Sequence, residues 1–216
     1  MAKESDAIRT HDEQAAKYDQ QARDYRWFGH NVLFGMSFEY VNPNDRLLDL
    51  GIGTGLSSQT FAEIGLEIFG VDGSVEMLDA CRSKGFAKEL KQFDLKSGPL
   101  PYSDGYFNHA ICCGVLHFFG DVEPLFKEVS RVMKPGGIFA FITQLQVPEK
   151  GEKTKGYSKS MAFNTPVFMH SDDYISAVLK NCGLDKMKEL RFLAWHGQED
   201  DDYFLCMAYV ARKSDY

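Results

Sequence analysis

The 216-residue chain is 44% hydrophobic and 25% charged, enough apolar material for one buried α/β core and unlike a disordered or disulfide-scaffold chain. Its 31 acidic and 24 basic residues give a net charge of −7, the wrong sign for non-specific nucleic-acid binding, though not for a local basic groove. No apolar run approaches the ~20 residues that cross a bilayer, Met1–Asp6 lacks the apolar core of a secretion signal, and five cysteines without CxxC spacing point to a reduced, cytoplasmic setting with no zinc site.

Residues 11 to 41 read as helical, carrying Ala15, Ala16, Tyr18, Ala22 and Tyr25 and then Val32, Leu33, Met36, Phe38 and Val41 before Pro43. From Arg46 the pattern changes. Leu47–Leu50 is a short apolar run stopped by a glycine cluster, as in a buried parallel strand. A helix follows from about Ser57 to Ile64 with Gly65 as its stop, then a strand from Leu66 to Val71, and a helix from Val75 to Ser83 capped by Ser74 and closed by Gly85. Glu89–Phe93 is a weaker strand, a Gly/Pro-rich loop covers 98 to 105, and His109–Cys113 is a fourth strand. A helix from Val122 to Met133 ends at Lys134-Pro135-Gly136-Gly137, before a strand from Ile138 to Thr143. Gln144 to Pro166 reads as polar and irregular, and a helix over Ser171–Asn181 and strands near Lys186–Trp195 and Tyr203–Arg212 complete the chain.

Strands alternating with helices of about ten residues predict a parallel sheet with right-handed crossovers. The last two strands are joined by too few residues for a crossover, so they form an antiparallel hairpin at one edge. In such sheets a ligand sits at the carboxyl end of the first strand, where this chain places Asp49-Leu50-Gly51-Ile52-Gly53-Thr54-Gly55. The glycines allow a sharp turn and close approach of a ligand, but a tight strand–helix turn uses glycine for structural reasons as well. A dinucleotide fingerprint would need glycine at 56, which is Leu56, and a P-loop would need a lysine that is absent. Asp72 and Asp94 end the next two strands, the first placed to accept from ribose hydroxyls and the second from an adenine amino group. Each alone reads equally as a cap or turn residue; three acidic strand ends beside one glycine loop point to a nucleoside ligand.

Leu47-Leu48-Asp49-Leu50-Gly51-x-Gly53-Thr54-Gly55 resembles the first motif of the class I S-adenosylmethionine-dependent methyltransferases. Gly70-Val71-Asp72-Gly73-Ser74-x-x-Met77-Leu78 is similar to their second motif. Leu100-Pro101-Tyr102-x-Asp104-Gly105-x-Phe107-Asn108, Val115-Leu116-His117-Phe118 and Glu128-Val129-x-Arg131-Val132-Met133-Lys134-Pro135-Gly136-Gly137 resemble the segments around the fourth strand, in order from about 46 to 143. The likeness fits the small-molecule, type 11-like branch. It implies an α/β, Rossmann-like, mostly parallel seven-stranded sheet with an antiparallel C-terminal hairpin and helices on both faces, in a single domain. A helical cap would occupy 1–45, the cofactor core 46–143, a substrate lid 144–170, and the last helix and hairpin 171–216. It further implies S-adenosyl-L-methionine as cofactor. Asp49 and Gly51 would hold its amino-acid end, Gly53 and Gly55 its sugar and sulfur, and Asp72 its ribose. Gly73, Ser74 and Met77 would line the adenine, Asp94 and Leu95 would meet its edge, Cys113 would contact the methionine portion through its backbone, and Tyr18, in Tyr18-Asp19, would cover it.

Methyl transfer from a sulfonium is an in-line displacement, so alignment and exclusion of water are the main tasks. His117, just past the fourth strand, is the candidate general base, against a structural role in a loop. His170 reads as helix-cap packing and His109 as core, while His11, His30 and His196 carry no constellation. Cys112 and Cys113 point to opposite faces, which favours packing over redox chemistry. Glu199–Asp202 reads as a solvated hairpin tip, and the lysines at 150, 153, 155 and 159 either meet an anionic substrate or sit on an exposed loop. The chain departs from the Pro-Pro-aromatic run of nucleic-acid amino methyltransferases, from the paired glutamates of protein arginine methyltransferases, and from a catechol-type metal site. A small-molecule acceptor remains, with no nucleic-acid or membrane partner; a nicotinamide-dependent oxidoreductase and a non-catalytic cofactor-binding protein are the alternatives. Trp27, Phe28, Val32, Leu33 and Phe34 either close over the pocket or form a dimer face, and the oligomeric state is open.

Overall fold

The apolar runs between glycine stops become strands in the computed structural model, which describes residues 8–9, 12, 15–146, 156–162, 165–196 and 203–215. The strands are β1 (Arg46–Leu50), β2 (Glu67–Asp72), β3 (Glu89–Gln92), β4 (His109–Cys112), β5 (Ile138–Gln144), β6 (Tyr157–Ala162), β7 (Thr165–His170), β8 (Leu184–His196) and β9 (Tyr203–Lys213). The helices are α1 (Tyr18–Asp24), α2 (Gly29–Ser37), α3 (Gln59–Glu63), α4 (Val75–Ser83), α5 (Glu123–Val132) and α6 (Asp172–Asn181), with 3-10 turns at Ala15–Lys17, Phe38–Tyr40 and Leu116–Phe118. Seven strands form one sheet in the order β3-β2-β1-β4-β5-β9-β8. The first five run parallel, and β9 is antiparallel to both β5 and β8. The chain order reverses at β1, where the next crossover carries it to β4 on the other side. That leaves a crevice at the carboxyl ends of β1 and β4.

Successive side chains on a strand face opposite sides, and β1 shows it. Leu48 and Leu50 join Phe126, Val129, Phe139, Phe141, Ile175 and Leu179 in a core roofed by α5 and α6. Leu47 joins Leu33, Phe61, Leu78, Ile111 and Ala140 in a second core roofed by α2, α3 and α4. The apolar N-terminal stretch divides accordingly. Leu33 is fully buried against the sheet and Phe34 stacks edge-on with Phe61, while Phe28 stays exposed.

The helical reading of residues 11 to 41 holds in two parts, α1 and a second helix α2 followed by a 3-10 turn, with Arg26, in a left-handed conformation at φ 53°, between them. One expectation changes. Part of the segment expected to be irregular forms the antiparallel hairpin β6–β7. Pro166 argues against a strand in the sequence, yet here it sits opposite Met161 in a two-stranded ribbon, where a missing N–H is tolerated because both strands are edges. Lys150, Lys153, Lys155, Glu199–Asp202 and His11 lie outside the described residues.

His109 does more than fill core. From the amino end of β4, its Nε2 meets the Asp45 carboxylate at 3.1 Å and its Nδ1 accepts from the Ile138 amide at 3.2 Å. The ring therefore pins β4 to the loop before β1 and to the start of β5, and burial holds its pKa below the usual histidine value despite Asp45. Replacing His109 with Leu leaves the Ile138 N–H without its acceptor, which costs about 1–3 kcal/mol. Urea unfolding of His109→Leu is expected to show that loss with ligand binding at the opposite end of the sheet unchanged; wild-type stability would remove the pin from the account.

Candidate functional site

A cleft opens over the carboxyl ends of β1 and β4, with about 690 Å³ of space that includes its open mouth. Each parallel strand on that side of the sheet sends a turn into its wall. Gly51 and Gly53 come from the turn after β1, Asp72 and Gly73 from β2, Asp94, Leu95 and Lys96 from the turn after β3, and Cys113, Gly114 and Val115 from β4. Met77 of α4 and Phe118 and Phe119 extend the wall, and Ile8 and Tyr18 close it from the N-terminal segment.

The local conformations explain the residue types. Gly51, Gly53 and Gly55 have φ of 71°, 53° and 83°, a left-handed region that costs other residues roughly 1–2 kcal/mol. A Cβ on Gly51 would also lie 2.3 Å from Val115 Cγ2, so the turn approaches the β4 loop as closely as a backbone can. Asp72 closes the arrangement. Its Oδ2 accepts from the Gly53 amide at 2.8 Å and its Oδ1 from the Ser74 amide at 2.9 Å. One carboxylate thus ties the glycine turn to the end of β2. Asp94 organises the next turn, accepting at Oδ1 from the Lys96 amide at 2.9 Å, which presents Leu95 to the cleft.

The N-terminal cover is anchored through Asp19, which accepts from Thr54 Oγ1 at 2.5 Å in the glycine turn and pairs with Lys84 at 2.6 Å beyond α4. Burial raises the Asp19 pKa, but the bonds from Lys84 and Thr54 outweigh it and hold the carboxyl below its usual value. The preceding residue, Tyr18, is carried into the wall, where burial, and then nearby Cys113, Asp72, Asp19 and Asp49, push its hydroxyl pKa far up. Burial also lifts the Cys113 thiol to about 12, against a bond with Ser57. Both side chains stay protonated near neutral pH.

Most residues singled out in the sequence converge here: Tyr18, Gly51, Gly53, Asp72, Gly73, Met77, Asp94, Leu95 and Cys113 all border the cleft. Four do not. Asp49 lies beneath the wall, 1% exposed, accepting from Ser58 through Oδ2 while Oδ1 is buried without a hydrogen-bond partner. Gly55 serves packing, since a Cβ there would meet Phe86 at 2.4 Å and Cys81 at 2.8 Å. Ser74 caps α4, accepting from the Met77 amide at 3.0 Å and donating to Asp12. His117 rides on the turn whose flanking residues Val115 and Phe118 line the cleft, but its own ring leans on Phe118, 4.0 Å between centroids, and does not border the cavity. That placement removes the geometric support for His117 as a base.

His170 is fully buried and directs Nε2 at the carbonyls of Phe119 and Gly120, at 2.9 and 3.1 Å, so it braces the wall from the hairpin side. Sequence reading missed Ile8, Lys96, Gly114, Val115, Phe118 and Phe119. Only Gly114, in a left-handed conformation at φ 73°, carried a local signal.

The electrostatics favour a particular ligand. Asp72 sits close enough to Asp49 to raise the cost of ionising it, beyond what burial already does. A ligand bringing hydroxyls and positive charge relieves that cost, whereas a pyrophosphate adds to it. The orphaned Asp49 oxygen beneath a glycine cradle is what a nucleoside with a cationic tail fits.

Residues 48–141 match the type 11 methyltransferase domain family. The Bacillus subtilis (strain 168) protein YqeM, whose methyltransferase designation is itself provisional, is 30% identical over 169 residues, covering 73% of this chain and 64% of YqeM. The malonyl-[acyl-carrier protein] O-methyltransferase of Serratia marcescens is 32% identical over 129 residues, covering 60% of this chain and 49% of the relative. The chain therefore spans about half to just under two thirds of the length of these relatives. A structure solved as the complex between the Haloferax volcanii Trm112 methyltransferase activator and a methyltransferase superposes with a TM-score of 0.73 at 16% identity, covering 97% of this chain and 98% of that one. At that identity it speaks for the fold.

Burial, moderated by Ser58 and reinforced by Asp72, lifts the Asp49 pKa from 3.8 to about 7. Between those values the folded protein holds a proton that the unfolded chain has lost, so stability falls as pH rises through that window. Asp49→Asn is expected to flatten the fall when unfolding free energies of the ligand-free protein are compared across it. An unchanged slope would place the titrating group elsewhere.

Proposed function

Since the chain carries a class I S-adenosylmethionine-dependent methyltransferase domain of the type 11 family, we propose that the cleft binds S-adenosyl-L-methionine and that the protein transfers its methyl group to a small-molecule acceptor. The observation that carries this reading is the carboxylate pair around the glycine turn: Asp72 bonded to Gly53 and Ser74, and Asp49 buried beneath with an unmet oxygen. When bound, the cofactor supplies a methyl group on a sulfonium whose departure needs no prior activation.

In this reading Asp72 accepts from the ribose hydroxyls, Gly73 and Met77 lie along the adenine, and Asp94 and Leu95 meet its edge. Gly51 approaches the amino-acid end, and Asp49 favours its positive charge from below rather than by direct lining. Cys113 contributes backbone at the end of β4. Tyr18 and Ile8 exclude water from above, and Phe118 and Phe119 do so on the open side. Tyr18 and Cys113 are held protonated, so neither removes a proton from the acceptor. The protein's main contribution in this reading is alignment of the acceptor with the methyl group. The Serratia relative is named for transfer to a malonyl oxygen; for this chain the acceptor is proposed at the level of a small organic molecule.

A thermal-shift panel with S-adenosylmethionine, S-adenosylhomocysteine, NADH and NADPH tests the proposal. A ligand at ~100 times its Kd stabilises the native state by about 2.7 kcal/mol. The adenosyl sulfur compounds are expected to raise the midpoint and the nicotinamides to leave it in place. A shift with NADH alone would overturn the reading in favour of an oxidoreductase, and binding of S-adenosylmethionine without formation of S-adenosylhomocysteine on any acceptor would reduce it to a cofactor-binding protein.

A further inference from the structure

We propose that β8, the outer strand of the sheet, pairs with β8 of a second copy of this chain in an antiparallel register centred on Leu190, giving a two-fold dimer with one continuous sheet. β8 ends the strand order, and among the described residues no strand lies on its outer side. It is long, and it is not blunted in the middle. Register irregularities fall at Lys186/Lys188 and at Leu193/Trp195, leaving Lys188–Leu193 as a regular run with an open edge. Such an edge invites pairing unless charge or a bulge guards it.

Symmetry leaves few registers. The two-fold axis of a continuous antiparallel pair is normal to the sheet, so each residue keeps its face and must oppose a residue of the same face. Faces alternate along the regular run, which places the axis on a residue rather than between two. Centring on Glu189 sets it against its own copy, and centring on Arg191 does the same with arginine; both place like charges directly opposite. Centring on Leu190 opposes Glu189 to Arg191 of the partner subunit, twice over, and sets Leu190 against itself.

Glu189 already pairs through Oε2 with Lys186 of its own strand at 2.6 Å, so the partner's Arg191 would meet its other oxygen. Met187, Leu190 and Leu193 are 37%, 44% and 56% exposed, an unusual apolar content for an edge. Arg191 is exposed and has no ion-pair partner among the described residues. Lys188, the charge that would otherwise guard this edge, is turned aside: its Nζ donates to the Met36 carbonyl at 3.1 Å and pairs with Glu39. Its aliphatic stem is left to cover the partner's Phe192. The same tie holds the turn Phe38–Tyr40 near Lys188.

Sedimentation equilibrium of the full chain tests the register. Wild type is expected to have the mass of two chains. Glu189→Arg and Arg191→Glu, each folded by circular dichroism, are each expected to run as single chains, because each creates two like-charged contacts across the axis. An equal mixture of the two variants is expected to recover the two-chain mass, since a positive edge then meets a negative one in the same register. A wild-type protein of one-chain mass would overturn the proposal, as would a dimer that neither variant dissociates. Single-chain variants that fail to recombine would overturn the Leu190 register.

Discussion

A single carboxylate, at the last residue of β2, holds the site in shape. Asp72 accepts one backbone N–H from the glycine turn after β1 and another from the first residue before α4. Two turns that are far apart in the chain thereby share one anchor. The turn it holds is conformationally expensive, with three left-handed glycines in five residues, and left unanchored it would sample many shapes at little cost. The parallel register of β1 against β2 brings Asp49 level with Gly70 and Leu50 level with Val71. The strand pairing therefore delivers both carboxylates to one end of the sheet before any ligand arrives.

Several groups around that anchor are buried. Asp49 is held near neutrality in its titration by burial, and Tyr18 and Cys113 keep their protons for the same reason. Lys84 is committed to Asp19, where it secures the N-terminal cover. In the proposed reading the cleft takes a ligand carrying its own cation. That arrangement suits a sulfonium and an ammonium better than a pyrophosphate, and it makes binding and charge relief the same event.

The seven strands of the main sheet and the antiparallel pairing of the last two were legible because buried parallel strands leave continuous apolar runs, because glycine marks their ends, and because the last connection is too short for a crossover. Val75–Ser83 has the bounds its capping Ser74 and closing Gly85 suggest. The β6–β7 hairpin was not legible, since Pro166 and the polar run Ser158-Lys159-Ser160 carry no strand pattern, and its stabilisation is tertiary: Tyr157 and Phe168 pack against Gly120. At the site, residues defined by backbone needs or strand ends were visible, such as Gly51, Gly53, Asp72 and Asp94. Roles set by side-chain direction were not. Nothing in the local sequence tells that His117 leans on Phe118 while Val115 and Phe119 face the cavity, or that Gly55 makes room for Phe86 rather than for a ligand.

Calorimetric titration of S-adenosylhomocysteine into wild type and into Asp72→Asn bears most directly on the central claim, that this carboxylate both shapes the glycine turn and receives the ribose. Losing hydrogen bonds to a charged group costs roughly 1.5–3 kcal/mol, so binding in the variant should weaken by about tenfold or more while its secondary structure is retained. Equal affinity in the two proteins would contradict the account, because the ligand would then be held by some other part of the molecule.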